Sequence, residues 1–208
     1  MDELEPLEDI VQDIDEKLSD KDTVRELAMK SSRAIRRLSR EMVKQIHNEE
    51  EPREVFNEAL QEVNKIKSII EDYPELFHAG FLRNGFQELA EAHILWSLNK
   101  GEDPQGPEEL GITPSAYLIG LGDVIGELRR TALDELTKGN VEKAEKMLKK
   151  MEFIKDMLMN LDYPQAIVPL KNKKDMARSL VEKTRGDIAI ASRNEKLKEK
   201  IDQFIEKL

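Results

Sequence analysis

Two pairs of carboxylates stand apart from the other acids of this sequence by their surroundings. Glu88 and Glu91 are three residues apart, and Asp123 and Glu127 are four apart. In a helix either spacing puts both acids of a pair on one face. Such pairs recur throughout a chain with 43 acidic residues, so spacing alone selects nothing. Context does. The stretch from Tyr117 to Leu128 (YLIGLGDVIGEL) is apolar except for its two acids, with Ala116, Gly120, Asp123 and Glu127 on one stripe. Glu88 and Glu91 lie between Phe86 and the run Ala92-His93-Ile94-Leu95-Trp96. Acids set into apolar helices are costly to bury unless they are paired or metal-bound. Four convergent carboxylates would suit a hard divalent cation, Mg²⁺ or Mn²⁺. Such a site activates water and stabilises charge developing on a scissile phosphate. The alternatives are that these acids pair with Arg83, Arg129 or Arg130, or face solvent.

A second feature is cationic. Lys30, Arg33, Arg37, Arg40 and Lys44 recur by threes and fours, so one helix carries them as a single stripe. That stripe lies opposite the apolar face of Ala28, Ile35, Leu38 and Met42. It reads either as a solvated face or as a track for successive phosphates of a nucleic-acid strand. The formal net charge of −10 weighs against nucleic acid in general, so any such site must be a local basic surface.

Other chemistries find less support. A di-iron bundle needs Glu-x-x-His repeats, and none is present. His47, His78 and His93 show no ligand spacing, and His93 reads as a core or surface histidine. Gly120 and Gly122 lie inside a helix, without the strand a phosphate loop requires, and instead permit close helix packing. Trp96 is a core or interface anchor by default. The absence of cysteine excludes disulfides, thiol catalysis and zinc fingers.

The elements that must position these groups are helices. Charged residues are 37% and aromatics 5%, with few of the β-branched and aromatic runs that strands favour. Apolar periodicity predicts a helix over 4–18, a break at Ser19-Asp20-Lys21-Asp22, and a second helix to His47. A third begins at Pro52. A fourth runs from Pro74 or Phe77 to Leu98, followed by the turn-rich stretch 99–114. The fifth covers 115–137, with Gly139 as a left-handed stop; the sixth covers 141–160. The seventh spans 171–185 and ends at Gly186, leaving a charged tail with a last amphipathic helix from Asn194. The expectation is one all-α domain over 1–208, an antiparallel bundle of about seven helices, with 187–208 as a charged helical tail. The acidic start (Asp2, Glu3, Glu5, Glu8) and the lack of a long apolar run predict a cytoplasmic protein with no membrane segment.

The motifs also resemble those of a known family. Tyr117 to Arg130 is similar to the signature helix of the translin/Trax family, a Tyr-Leu-x-Gly start followed by a Gly-Glu-Leu or Ser-Glu-Leu-x-Arg ending. Glu109-Leu-Gly-Ile-Thr-Pro114 before it, Thr137-Lys-Gly-Asn140 after it, Tyr163-Pro164 and Thr184-Arg-Gly186 fall in the family's order. Gly85-Phe-Gln-Glu-Leu-Ala-Glu-Ala92 resembles the Gln-Glu-x-x-Glu-Ala motif of the catalytic Trax-type branch. The resemblance implies a seven-helix bundle in a hollow octamer that encloses single-stranded RNA, or single-stranded DNA. It implies a Mg²⁺-dependent endoribonuclease site at Glu88, Glu91, Asp123 and Glu127. It also implies cavity-facing roles for the Lys30–Lys44 stripe and phosphate contacts by Arg83, Arg129 and Arg130. The translin branch lacks most of these acids and implies a binding protein that does not cut. The resemblance leaves open a homo-oligomer or a complex with a translin-type partner. The tail after Gly186 departs from both branches.

Overall fold

The computed structural model describes residues 5–205, and within them the regular structure is helical throughout. Helix α1 spans Glu5–His47, α2 Arg53–Ile69, α3 Gly80–Lys100, α4 Pro107–Leu110, α5 Pro114–Thr137, α6 Val141–Met159 and α7 Lys171–Ile205. A 3₁₀ turn, Pro74–His78, precedes α3. The chain runs up α1, down α2 and up α3. Residues 101–113 carry it back, so α5 also runs up, and α6 then descends and α7 ascends. Helix α1 packs on α2 and α3, α3 on α5, and α5, α6 and α7 on one another. Ile35 and Met42 of α1, Leu82, Phe86 and Leu89 of α3, and Ile125 and Leu128 of α5 are fully buried. Each side chain of this size contributes about 1.5–3 kcal/mol on leaving water. No helix among the described residues is long and apolar enough to cross a membrane.

Two expected breaks are absent. Helix α1 passes through Ser19–Asp22 without interruption. The polar groups that could have capped a new helix are used along the existing one. Thr23 donates to the Ser19 carbonyl at 3.1 Å, Asp22 accepts from Arg25 at 2.7 Å, and Lys21 reaches Glu75 at 2.5 Å. The apolar residues of the first turns, Leu7 to Leu18, are consequently exposed rather than folded back onto the core. Similarly, α7 runs through Gly186, so the expected extra helix is its continuation. A helical glycine costs about 1 kcal/mol. Burial of Ile188 against Ala132, Val141 and Ala144 holds the helix across that position. In contrast, Gly139 adopts the expected left-handed conformation (φ 80°) between α5 and α6. The fourth predicted helix begins later than expected, because Ala79 is extended (ψ 144°) and separates the 3₁₀ turn from α3.

Helices α3 and α5 cross closely beside Glu91. A Cβ added at Gly120 would lie 2.6 Å from the Gln87 carbonyl oxygen, 2.8 Å from the Ala90 Cβ and 3.0 Å from the Glu91 nitrogen. Two of those neighbours are main chain and cannot rotate away. Gly120→Ala therefore pushes the two helices apart, with an expected loss of about 1–3 kcal/mol in urea denaturation. The same substitution at Gly126, which meets nothing within 4 Å, should stabilise or be neutral.

Candidate active site

The close α3–α5 crossing brings the two acid pairs to one place. Glu88 and Glu91 from α3 and Asp123 and Glu127 from α5 line a cavity of about 570 Å³. Helix α1 closes one side with Arg40, Lys44 and His47, and Lys173 enters from the first turn of α7. All four acids are partly buried, so their charges need compensation. Three of them have it. Glu88 accepts from Arg36 Nε at 2.9 Å and from Arg40 Nε at 3.1 Å. Asp123 accepts from Gln87 Nε2 at 2.5 Å and pairs with Lys173 through its other oxygen. Glu127 bonds His47 Nε2 at 2.5 Å, with Arg130 at 3.7 Å. The hydrogen bond from His47 holds the Glu127 carboxyl below the usual range despite its burial.

Glu91 is the exception. It forms no ion pair and no side-chain hydrogen bond among the described residues. Burial first, and then the charges of Asp123, Glu127 and Glu88, push its carboxyl up to about 8 from an ordinary 4.5. A carboxyl in that position holds its proton near neutral pH. Because the other acids are turned toward Arg36, Lys173 and His47, no three His, Asp or Glu side chains among the described residues are grouped to hold a metal as they stand. The donor set itself is what a hard cation takes: carboxylate oxygens from two facing helices, with one acid lacking a counter-charge.

The cationic stripe lies beside this cavity. Lys30, Arg33, Arg37, Arg40 and Lys44 are all exposed along α1. Arg33, Arg36, Arg37, Arg40 and Lys44 line a shallow hollow of about 420 Å³, interrupted by Glu41. Arg40 and Lys44 line both this hollow and the acid-lined cavity, so the two adjoin. Arg130 borders the acids as well. Arg83 is exposed one turn before Gln87 on α3 and does not line the cavity. Arg129 points elsewhere. Its guanidinium donates to Thr184 Oγ1 at 2.7 Å and pairs with Asp187 at 2.9 Å, so it joins α5 to α7 away from the acids. His93 is a core residue: it stacks on Phe56 at 4.8 Å and accepts from the Gln105 amide at 2.9 Å. Trp96 is buried, with Arg53 and Lys100 over its ring.

Arg36, His47, Gln87 and Lys173 are site residues that sequence reasoning missed. The first two share a face with Arg40, since 36, 40 and 47 recur by four and seven, a pattern the outward cationic stripe conceals. Lys173 sits in the run Lys171-Asn-Lys-Lys174, where nothing in sequence singles it out.

Comparison with known proteins agrees with this architecture. A sequence model described as "Translin family" matches residues 13–185. The chain belongs to the translin family. An uncharacterized protein of Methanocaldococcus jannaschii is 36% identical over 186 residues, covering 88% of this chain and 82% of that one. The crystal structure of AfC3PO superposes with a TM-score of 0.79 at 31% identity, over 88% of this chain and 97% of its own. A complex of AfC3PO with duplex RNA gives 0.70 at 32% identity, with the same coverage of each chain. Apo-NeC3PO gives 0.73 at 22% identity over 87% of this chain and 96% of its own, a likeness of fold. The translin match stops at Arg185, so residues 186–205 of α7 extend the bundle beyond the matched region.

Proposed function

We propose that this translin-family protein binds RNA along α1 and cleaves single-stranded RNA at the acid cluster, as an endoribonuclease of the Trax type. The observation that carries the reading is the adjacency of the two hollows: Arg40 and Lys44 of the cationic groove also line the cavity of four carboxylates held by two facing helices. A strand whose phosphates lie against Arg33, Arg37 and Arg40 is led directly to the acids. The structural relative AfC3PO forms a complex with duplex RNA, which supports RNA as the ligand class here.

Glu88, Glu91, Asp123 and Glu127 would hold Mg²⁺ or Mn²⁺, and the bound ion would supply an activated water and a counter-charge for the phosphate oxygens. The raised carboxyl of Glu91 supports this, because a cation relieves the repulsion that keeps its proton on. This chain's own residues do the rest. Arg36 and Arg40 orient Glu88, Gln87 orients Asp123, and His47 keeps Glu127 ionised. Arg130, exposed at the rim beside Glu127, is placed to meet a phosphate. Assembly into a hollow oligomer, an octamer of this chain or a mixed one with a translin-type partner, would place the α1 groove on an inner wall.

A second reading comes from the compensation seen at three of the acids. If Lys173, His47 and the arginines are permanent partners, the protein is a binding module for single-stranded RNA or DNA that does not cut. One experiment separates them. Labelled unstructured RNA, and a duplex of the same sequence, are incubated with the protein in Mg²⁺ or in EDTA, alongside Asp123→Asn. The expected result is metal-dependent cutting of the single strand, lost by roughly a hundredfold or more in the variant while RNA affinity stays within about threefold. Retention without cutting in every condition would leave the binding module.

A further inference from the structure

The ends of α1 and α7 carry apolar seams that this chain leaves open. On α1, Leu7, Val11, Ile14 and Leu18 recur by four, three and four, and are 49–63% exposed. On α7, Ile190, Leu197, Ile201 and Phe204 lie on a seam of the same alternation, 49–64% exposed, with Asn194 filling the remaining position. A 3.5-residue repeat is the seam of a two-helix coiled coil. Exposed apolar rows of this length on a helix mark an interaction surface. The α7 seam lies wholly outside the residues matched by the family, and Leu7 and Val11 do too.

The two seams are at opposite ends of the bundle. The α1 tip leaves beside the 3₁₀ turn, where Lys21 meets Glu75. The α7 tail leaves past Ile188, beside the α5–α6 turn, at the end that also holds Glu49 and Lys138. They therefore meet only between copies.

Charge decides which seam meets which. Arg193, Lys198 and Lys200 flank the α7 seam, so two tails side by side repel. Glu8 and Asp15 flank the α1 seam, and a second tip offers them no cation at the facing positions. Tip against tail removes both conflicts. We infer that the α1 tip of one copy packs as a parallel coiled coil against the α7 tail of another copy of this chain. The register places Leu7 against Leu197, Val11 against Ile201 and Ile14 against Phe204. In that register Glu8 faces Arg193, Asp15 faces Lys200, and Ile10 meets Ile205. Both helices run the same way along the bundle, so the contact is head to tail. Such a contact closes into a ring or continues as a filament.

The chain has no cysteine, which gives a direct test. Leu7→Cys and Leu197→Cys are made as separate full-length proteins, at positions whose exposure leaves the fold intact. After mild oxidation, a mixture of the two gives a disulfide-linked pair on a non-reducing gel, roughly tenfold or more above either protein alone. Adding Arg193→Glu and Lys200→Glu to the Leu197→Cys protein abolishes that product. Adding Glu8→Lys and Asp15→Lys to its partner restores it. Cross-linking of either protein alone at the level of the mixture, no product in the mixture, or no restoration by the second charge reversal overturns the assignment.

Discussion

Glu91→Gln is expected to stabilise the metal-free protein while abolishing the proposed RNA cleavage. The sign comes from protonation. The Glu91 carboxyl ordinarily loses its proton near 4.5 but holds it up to about 8 in the fold. Between those values the folded state binds a proton that the unfolded state has released, so wild-type stability falls as pH rises through this window. Below about pH 4.5 both states are protonated and the penalty vanishes. Glutamine has nothing to release, and its stability lacks that slope. At about pH 8 the difference should be on the order of 3 kcal/mol in favour of the variant, and near pH 5 it should be small. Urea denaturation in EDTA at the two pH values measures it. An equal gap at both would mean that Glu91 does not carry the repulsion of its neighbours. The pairing of higher stability with lost cleavage is what a site held against its own electrostatics produces.

Lys173→Met is expected to do the reverse. Lys173 and Asp123 are 22% and 16% exposed, and removing the lysine leaves Asp123 with Gln87 alone among three other acids. Breaking a buried pair costs about 3–5 kcal/mol, and partial exposure reduces this to roughly 2–3 kcal/mol. Part of that loss should return on addition of Mn²⁺ or Mg²⁺, because a bound cation replaces the missing charge. Saturation at about a hundredfold over Kd contributes about 2.7 kcal/mol. Thermal unfolding with EDTA and with metal reads both effects. A variant as stable as wild type in EDTA, or one that metal does not shift, would remove Asp123 from the proposed metal ligands.

The fold was largely legible because its helices are amphipathic and their core faces recur by threes and fours. Ala28, Ile35 and Met42 are fully buried, as the periodicity of α1 requires. The boundaries were less so. Ser19-Asp20 and Gly186 carry the local chemistry of helix ends, but a helix ends only where the chain has packing to gain by turning. At Gly186 the gain lies in continuing, because Ile188 has a buried seat just beyond it. The apolar flanks singled out the four acids, but left open whether they converge, pair with arginines or face solvent; the crossing of α3 and α5 places them in one cavity. Their partners were not legible. Which lysine of 171–174 meets Asp123, or that His47 reaches Glu127 across 80 positions, depends on the angle between helices, and periodicity along one helix does not contain it.

Beside the acids, the separation of α3 and α5 is set at Gly120 by main-chain atoms of Gln87 and Glu91 and by the Cβ of Ala90, the smallest of side chains. Elsewhere in the bundle, spacing depends on the bulk of Ile35, Phe86 or Leu128 and drifts as those residues are exchanged. Exchange of those side chains leaves this one contact beside the carboxylates in place. The position where drift would be felt at once is the residue that has no side chain to vary.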